Sequence, residues 1–306
     1  MKRIALALLL AVGVAQPVYG ASYDDLNAGI QLHNLGDWDG AIRQLDKVLA
    51  AGDLSPNLQF IAHFDRGIAH HALGQWDQAI QDYSASLTLR PGEIQVLFNR
   101  SSVYESTDKL DLAAADLDSA IAAHPLQGRP YEMRALLHVK RGEMEKARED
   151  LTSMLKFQPD NSEYMNGISD WVIGQPEQAE KKFSYQTDKG PDKIYAWLWY
   201  ALAEVHFGKP VPRRSLPDFP EKDWPRPLVA FFLGKASQES VFAASKQGDQ
   251  KLLDLQICET NFYIGEWLLQ HHDEAGAKPL LQKAASDCPP KMIEWMPAKM
   301  EQAKLQ

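Results

Sequence analysis

The amino-acid sequence predicts an all-α solenoid built from stacked antiparallel helical hairpins. Three observations predict it: the chain repeats with a period of about 34 residues, small residues recur at fixed offsets within each repeat, and proline ends most repeats. Small residues at these positions let two helices cross closely, and proline ends one helix before the next begins. The fold class is therefore helical throughout, with short connecting turns.

Six copies of the repeat share one set of offsets. After the small residue that opens a copy, a second small residue follows at twelve positions, an aromatic or aliphatic residue at sixteen and, in all but the first copy, proline at twenty-four. The copies open at Gly29, Gly67, Ser101, Ala135, Gly167 and Gly265. This is the tetratricopeptide pattern, in which each unit is a helix, a tight turn and an antiparallel helix.

Arginine and aspartate recur together in the three central copies. Each arginine directly precedes the opening small residue, and each aspartate lies sixteen residues after the arginine. Both are missing together from the flanking copies, which carry Ala28 with Gln44 and Asn166 with Lys182. This joint occurrence predicts structural ion pairs across each hairpin, and the alternative is a clamp for a ligand. The predicted pairs are Arg66–Asp82, Arg100–Asp116 and Arg134–Asp150.

The composition divides the chain into four parts. Residues 1–20 combine a basic start, a short apolar core and small residues before Ala21, as a cleaved signal peptide does. We expect a repeat array in residues 21–190, a tryptophan-rich helix with a proline-rich linker in 191–228, and a repeat-like part with a capping helix in 229–306. The signal predicts secretion to the periplasm, and the absence of cysteine near the cleavage point predicts no lipid anchor.

The net charge and the missing enzyme motifs argue against several classes of function. The net charge of −9 disfavours nucleic acid and anionic membranes as partners. The sequence has no nucleophile elbow, phosphate loop, dinucleotide fingerprint or His-Glu-x-x-His, so we expect no catalytic residue, no cofactor and no metal. The adjacent pairs His70–His71 and His271–His272 point about 100° apart on a helix, which favours packing over metal binding.

Binding of other proteins is the remaining function class. The first helices of stacked hairpins line one face of the array, and here that face mixes aromatic and hydrogen-bonding residues, as grooves for peptides do. The alternative is that the chain's own C-terminal part or inter-repeat packing fills the face. The predicted binding residues are Phe64, Ile68, His71, Gln95, Phe98, Asn99, Ser102, Glu105, Arg129, Glu132, Tyr164 and Trp171.

The two cysteines fall at neighbouring ends of the last hairpin. Cys258 lies near the start of its first helix and Cys288 at the end of its second, so a disulfide is geometrically plausible in an oxidising compartment. It would close a loop of about 30 residues and contribute on the order of 3–4 kcal/mol. The alternative, a redox-active pair, lacks the Cys-x-x-Cys spacing.

Three runs in the C-terminal half carry a family resemblance: WPRPLV at 224–229, FLGKAS at 232–237 and CETNFYIG at 258–265. They resemble the NlpI family of bacterial envelope lipoproteins. The resemblance implies a scaffold or adaptor that brings periplasmic proteases and peptidoglycan hydrolases together, often as a homodimer. This sequence lacks the family's lipid-accepting cysteine, so membrane tethering does not carry over. A structural repeat subunit of an envelope assembly or export complex, and an enzyme with an unfamiliar site, stay open.

Overall fold

The computed structural model of the protein describes residues 21–157, 163–187, 193–213 and 224–305. Within these ranges it contains sixteen helices and no strand, which confirms the predicted all-α fold of paired helices. The predicted signal peptide and part of the proline-rich linker lie outside the described residues, as do the prolines that end two repeats. None of the described helices is long and apolar enough to cross a membrane.

The described residues form two compact units that divide between residues 120 and 121; they are here named unit 1 and unit 2. The division falls near the end of the sixth helix. The boundaries predicted at residues 190 and 228 were drawn from composition and not from compactness, and they stay a prediction.

Unit 1 consists of helical hairpins with tight turns. Gly36 and Gly74 reverse the chain within two of these turns with φ values of 76° and 70°, a backbone conformation that other residues rarely adopt. The second helix of the first hairpin is capped by Asp37, whose Oδ1 accepts a hydrogen bond from the Gly40 backbone N–H at 2.9 Å. The helices of unit 1 are α1 (Ala21–Asn34), α2 (Trp38–Ala51), α3 (Pro56–Ala72), α4 (Trp76–Leu89), α5 (Ile94–Ser106) and α6 (Leu110–Ala123).

Each hairpin closes over a small residue. In unit 1 a Cβ added to Gly67 would lie 2.8 Å from Tyr83 Cε1, and in unit 2 a Cβ added to Gly167 would lie 2.7 Å from Phe183 Cε1. Both pairs are sixteen residues apart, which is the offset that the sequence pattern repeats. The pattern therefore records a packing requirement, because a larger side chain at the first position would push the two helices apart.

The first helices of unit 1 form one layer. Helix α3 contacts both α1 and α5, while α2 and α4 pack behind them as the second helices. The core lies between the two layers, where Leu26, Leu45, Tyr83 and Val103 are fully buried. The accessible side of α1, α3 and α5 is here named the first-helix face.

Unit 2 packs its described helices around one hydrophobic core with α11 at its centre. Trp197 and Trp199 on α11 are fully buried, and the Trp199 ring lies 5.5 Å from Phe183 and 5.3 Å from Phe262. Helix α11 therefore joins the hairpin before it to the long α14. The helices are α7 (Gly128–Lys140), α8 (Met144–Phe157), α9 (Glu163–Ile173), α10 (Pro176–Gln186), α11 (Lys193–His206), α12 (Arg226–Phe232), α13 (Gln238–Ala244), α14 (Gln250–Gln270), α15 (Glu274–Asp287) and α16 (Trp295–Lys304).

Candidate protein-binding face

Most of the predicted binding residues of unit 1 are accessible on the first-helix face. They lie on two neighbouring helices, α3 and α5, and are half-buried or exposed. The accessible residues are Phe64, Ile68, His71, Gln95, Asn99, Ser102 and Glu105. Phe98 corrects the prediction, because only 6% of it is exposed and it belongs to the core.

The α3 side of this face is apolar and neutral. The Phe64 ring stacks on Phe60 with centroids 6.1 Å apart and tilts toward Tyr83 at 6.2 Å. His71 places its ring 5.6 Å from that of Trp76 and its Nδ1 3.4 Å from the Tyr83 hydroxyl. Burial lowers the pKa of His71, which keeps the imidazole uncharged at neutral pH. On this face, Phe64, Ile68 and His71 of α3 therefore offer aromatic and aliphatic surface without a charged group.

The α5 side of the same face is polar. Gln95 is exposed, and Asn99, Ser102 and Glu105 are half-buried along the helix. Their amide, hydroxyl and carboxylate groups include both donors and acceptors of hydrogen bonds. An apolar row beside such a polar row provides contacts for both the side chains and the backbone of a bound segment.

The three repeated arginine–aspartate pairs join the two helices of their hairpins. In each pair the arginine Nε donates to one carboxylate oxygen at 2.8–2.9 Å and Nη2 donates to the other at 2.6 Å. The aspartates are buried, with 3–4% of each residue exposed. The pairs are Arg66–Asp82, Arg100–Asp116 and Arg134–Asp150. A buried carboxylate already held by two N–H groups is a structural element, not a clamp for an external ligand.

Two histidines have a related structural role. His70 Nδ1 lies 2.5 Å from Gln75 Oε1, and His138 Nδ1, two repeats later, lies 2.6 Å from Glu143 Oε2. The second nitrogen of each ring lies 3.6–3.8 Å from the paired aspartate of its hairpin. These rings therefore support the hairpin turns. Across the described part of the chain, no group of three or more histidine, cysteine or acidic residues is arranged to hold a metal ion.

The predicted binding residues of unit 2 have a different environment. Arg129 is exposed and Glu132 is half-buried, but only 4% of Tyr164 and 7% of Trp171 is exposed. The Trp171 ring lies 6.0 Å from that of Trp199. Tyr164 and Trp171 are therefore core residues, which corrects their assignment to an open groove.

The C-terminal segment, defined as residues 289–296, covers these first helices of unit 2. Its residues Met292 to Glu294 line a small cavity together with Tyr164, Tyr195 and Glu259. The disulfide from Cys258 to Cys288, with Cα atoms 5.2 Å apart, fixes the start of the segment on α14. In unit 2 the chain's own C-terminal part thus occupies the face, which was one of the alternatives left open by the sequence.

The segment places Glu294 near Glu259 of α14, and each carboxyl group accepts hydrogen bonds from neighbouring side chains. Tyr195 donates from its hydroxyl to Glu259 at 3.0 Å, and Tyr263 donates to Glu294 Oε1 at 3.2 Å. Trp224 Nε1 also donates to Glu259. Burial raises the pKa of Glu259, and burial together with the nearby Glu259 charge raises the pKa of Glu294 from 4.5 to about 8. Glu294 is therefore protonated in the folded protein at neutral pH.

We expect Glu294→Gln to flatten the pH dependence of the stability of unit 2. In the wild type the pKa of Glu294 is higher in the folded protein than in the unfolded chain. The stabilisation that the protonated Glu294 gives to the folded state is therefore present at low pH and is lost as the pH rises toward 8. The loss is about 1.4 kcal/mol per pH unit. Urea unfolding at about pH 6 and about pH 8 measures it. The control is Glu145→Gln on an exposed side chain, and equal slopes in all three proteins would contradict the assignment.

Comparisons with known proteins agree with the repeats described above. The model of the family described as "Tetratricopeptide repeat" matches residues 26–94 and 99–162. A tetratricopeptide repeat protein from Parabacteroides merdae is 18% identical over 93% of this chain and 100% of its own, with a TM-score of 0.52. The C-terminal part of a repeat-containing protein from Cytophaga hutchinsonii is 14% identical over 89% and 98%, with a TM-score of 0.50. MamA is 23% identical over 57% and 94%, with a TM-score of 0.45. At 18% and 14% identity, the similarity to the Parabacteroides merdae and Cytophaga hutchinsonii proteins shows a shared fold alone.

Proposed function

We propose that this tetratricopeptide-repeat protein is a periplasmic adaptor that holds a client protein on the first-helix face of unit 1. Tetratricopeptide repeats serve as scaffolds for protein–protein interaction. One observation carries the proposal: the first-helix face of unit 1 is accessible and joins an apolar α3 row to a polar α5 row, whereas the C-terminal segment occupies the corresponding helices of unit 2.

The adaptor acts by co-localisation. A segment of the client binds the first-helix face, a protease or peptidoglycan hydrolase binds another surface, and the enzyme meets the client at a raised effective concentration. The periplasmic location rests on the signal-peptide pattern in residues 1–20, and the enzyme class rests on the resemblance to the NlpI family. Neither client binding nor enzyme binding requires a lipid anchor. A homodimer would present two first-helix faces.

We expect substitutions on the first-helix face to remove client binding without unfolding the protein. The face variant combines Asn99→Ala, Ser102→Tyr and Glu105→Lys, all on α5 and none fully buried. Protein comprising residues 21–306 is immobilised, an envelope extract is passed over it, and mass spectrometry identifies the retained proteins. The wild type should retain a client protein that the face variant loses by about tenfold or more, whereas both proteins should retain the protease or peptidoglycan hydrolase.

A matched control introduces the same three residue types on the second helices of unit 1. It combines Gln81→Ala on α4 with Ala115→Tyr and Asp118→Lys on α6, all exposed positions. The control should retain the same proteins as the wild type. Equal retention by the face variant would place the binding site elsewhere. A stable complex without any protease or hydrolase would instead favour a structural subunit of an envelope assembly.

A further inference from the structure

Unit 2 contains an apolar pocket between its first helices and the C-terminal segment. The pocket has a volume of about 170 Å³. Leu151 and Ile168, each 1% exposed, form part of its inner surface. Three methionines also line it: Met165 on α9, and Met292 and Met296 from the C-terminal segment and α16. This pocket is distinct from the accessible face of unit 1.

The pocket opens to solvent on one side. Leu136, of which 37% is exposed, and the exposed Lys291 both line it, so the opening lies between α7 and the C-terminal segment. The half-buried Glu132 lines the same pocket one helical turn before Leu136. The remaining polar lining residues are Ser169 and Lys291. A mostly apolar interior with a few polar groups at its wall is the arrangement of small recognition sites, where the polar groups fix orientation.

The size and the walls of the pocket suit a single side chain. An apolar cavity of about 150 Å³ is large enough to hold benzene. Methionine side chains are unbranched and polarizable, so walls containing three of them adapt to occupants of different shape. Leucine, methionine and phenylalanine side chains fall in this size range, whereas a whole helix does not.

The same helices already accept apolar side chains from an irregular stretch of chain. Met292 and Ile293 of the C-terminal segment pack half-buried against the core of unit 2, and the residues from Cys288 to Glu294 are not helical. The segment also forms one wall of the pocket, so the pocket exists only while the segment stays in place. The Cys258–Cys288 disulfide directly precedes the segment and holds its start.

We infer that this pocket is an anchor site for one leucine, methionine or phenylalanine side chain of an extended segment of a second partner protein, with Glu132 accepting a hydrogen bond from the backbone of that segment. The inference rests on the proposed protein-binding function but uses a second surface. Such a site would let unit 2 hold one protein while unit 1 holds another, as bridging requires. Because one anchor side chain contributes little, we expect an isolated short peptide to bind with a Kd on the order of millimolar.

The test follows the methionine methyl groups by NMR in protein comprising residues 21–306 with ¹³C-labelled methionine. The probe is the blocked peptide Ala-Ala-Leu-Ala-Ala, and the reference is the same peptide with alanine at its centre. We expect the leucine peptide to shift the signals of Met165, Met292 and Met296 saturably. The buried Met154 and Met300 do not line the pocket and should stay unchanged as internal controls.

A charge at the mouth should abolish these shifts. Leu136→Asp places a carboxylate beside the opening at a partly exposed position, so we expect the fold to persist, which the Met154 and Met300 signals report. Leu126→Asp is the matched control, because Leu126 is 72% exposed and does not line the pocket. The inference is overturned if both peptides shift the signals equally, if neither does, or if Leu136→Asp retains the shifts.

The same experiment separates this inference from the proposed function. The α5 face variant of unit 1 should leave the response of the unit 2 methionines unchanged while losing its client on the affinity column. If the face variant loses its client but the leucine peptide gives no methyl response, only the anchor site is contradicted. If the methyl response is normal but the face variant retains its client fully, only the proposed client site of unit 1 is contradicted.

Discussion

Arg100→Ala is expected to destabilise unit 1 by about 3–5 kcal/mol. Arg100 donates two hydrogen bonds to Asp116, at 2.9 and 2.6 Å, and 4% of Asp116 is exposed. In the described residues no other side chain bonds to the Asp116 carboxylate, so the substitution leaves it buried without a partner. Hydrogen exchange of the α5 and α6 amides measures the loss, which corresponds to about a hundredfold or more in opening.

Arg66→Ala is the internal comparison and should have a smaller effect, about 1–3 kcal/mol. It removes the equivalent pair, but Asp82 keeps a hydrogen bond with His63 Nδ1 at 2.9 Å. The surface control is Lys109→Ala, whose contact with the exposed Asp77 is 3.9 Å long and should matter by less than about 1 kcal/mol. Equal effects of all three substitutions would show that the buried pairs do not hold the hairpins together.

The second large effect is expected from the disulfide. Replacing Cys258 and Cys288 together by serine should destabilise unit 2 by about 3–4 kcal/mol, because the bond closes a loop with a sequence separation of 30. The loss should appear in urea unfolding followed by the fluorescence of the buried Trp197 and Trp199. Hydrogen exchange should localise it to α14, α15 and the C-terminal segment.

Chemical reduction provides the control for this double substitution. A dithiol that reduces the wild type should reproduce the loss, and it should leave the serine variant unchanged because no other cysteine is present. Unit 1 contains neither cysteine, so its exchange rates should stay constant. Undiminished protection of α14 in the reduced protein would mean that core packing alone holds the segment.

Most of the fold was predictable because each hairpin imposes packing requirements that recur in the sequence. The sixteen-residue offset from Gly67 to Tyr83 is visible because one close helix crossing requires a small residue in every repeat. The arginine–aspartate pairs were predictable for a similar reason: Arg100 and Asp116 are both present, whereas both are missing from flanking copies. Patterns that depend on two residues within one hairpin can be read without knowledge of the rest of the chain.

The binding face was harder to predict because it depends on what lies over each helix. Phe98, Tyr164 and Trp171 occupy first-helix positions equivalent to accessible ones in other repeats, yet their burial depends on neighbours that the repeat frame does not specify. One signal was available. Helix α11 is apolar nearly all round in the sequence, and a helix of this kind needs cover on several sides. The segment that provides part of this cover follows the last repeat, where no pattern recurs.

The most direct test of the adaptor account is photo-crosslinking from single positions in unit 1. A benzophenone amino acid replaces Ser102 on α5, at the centre of the first-helix face, or the exposed Ala115 on α6 as the matched position. The account predicts that position 102 crosslinks to a specific client protein in an envelope extract and that position 115 does not. Crosslinking of the same protein from position 115, with none from position 102, would contradict it.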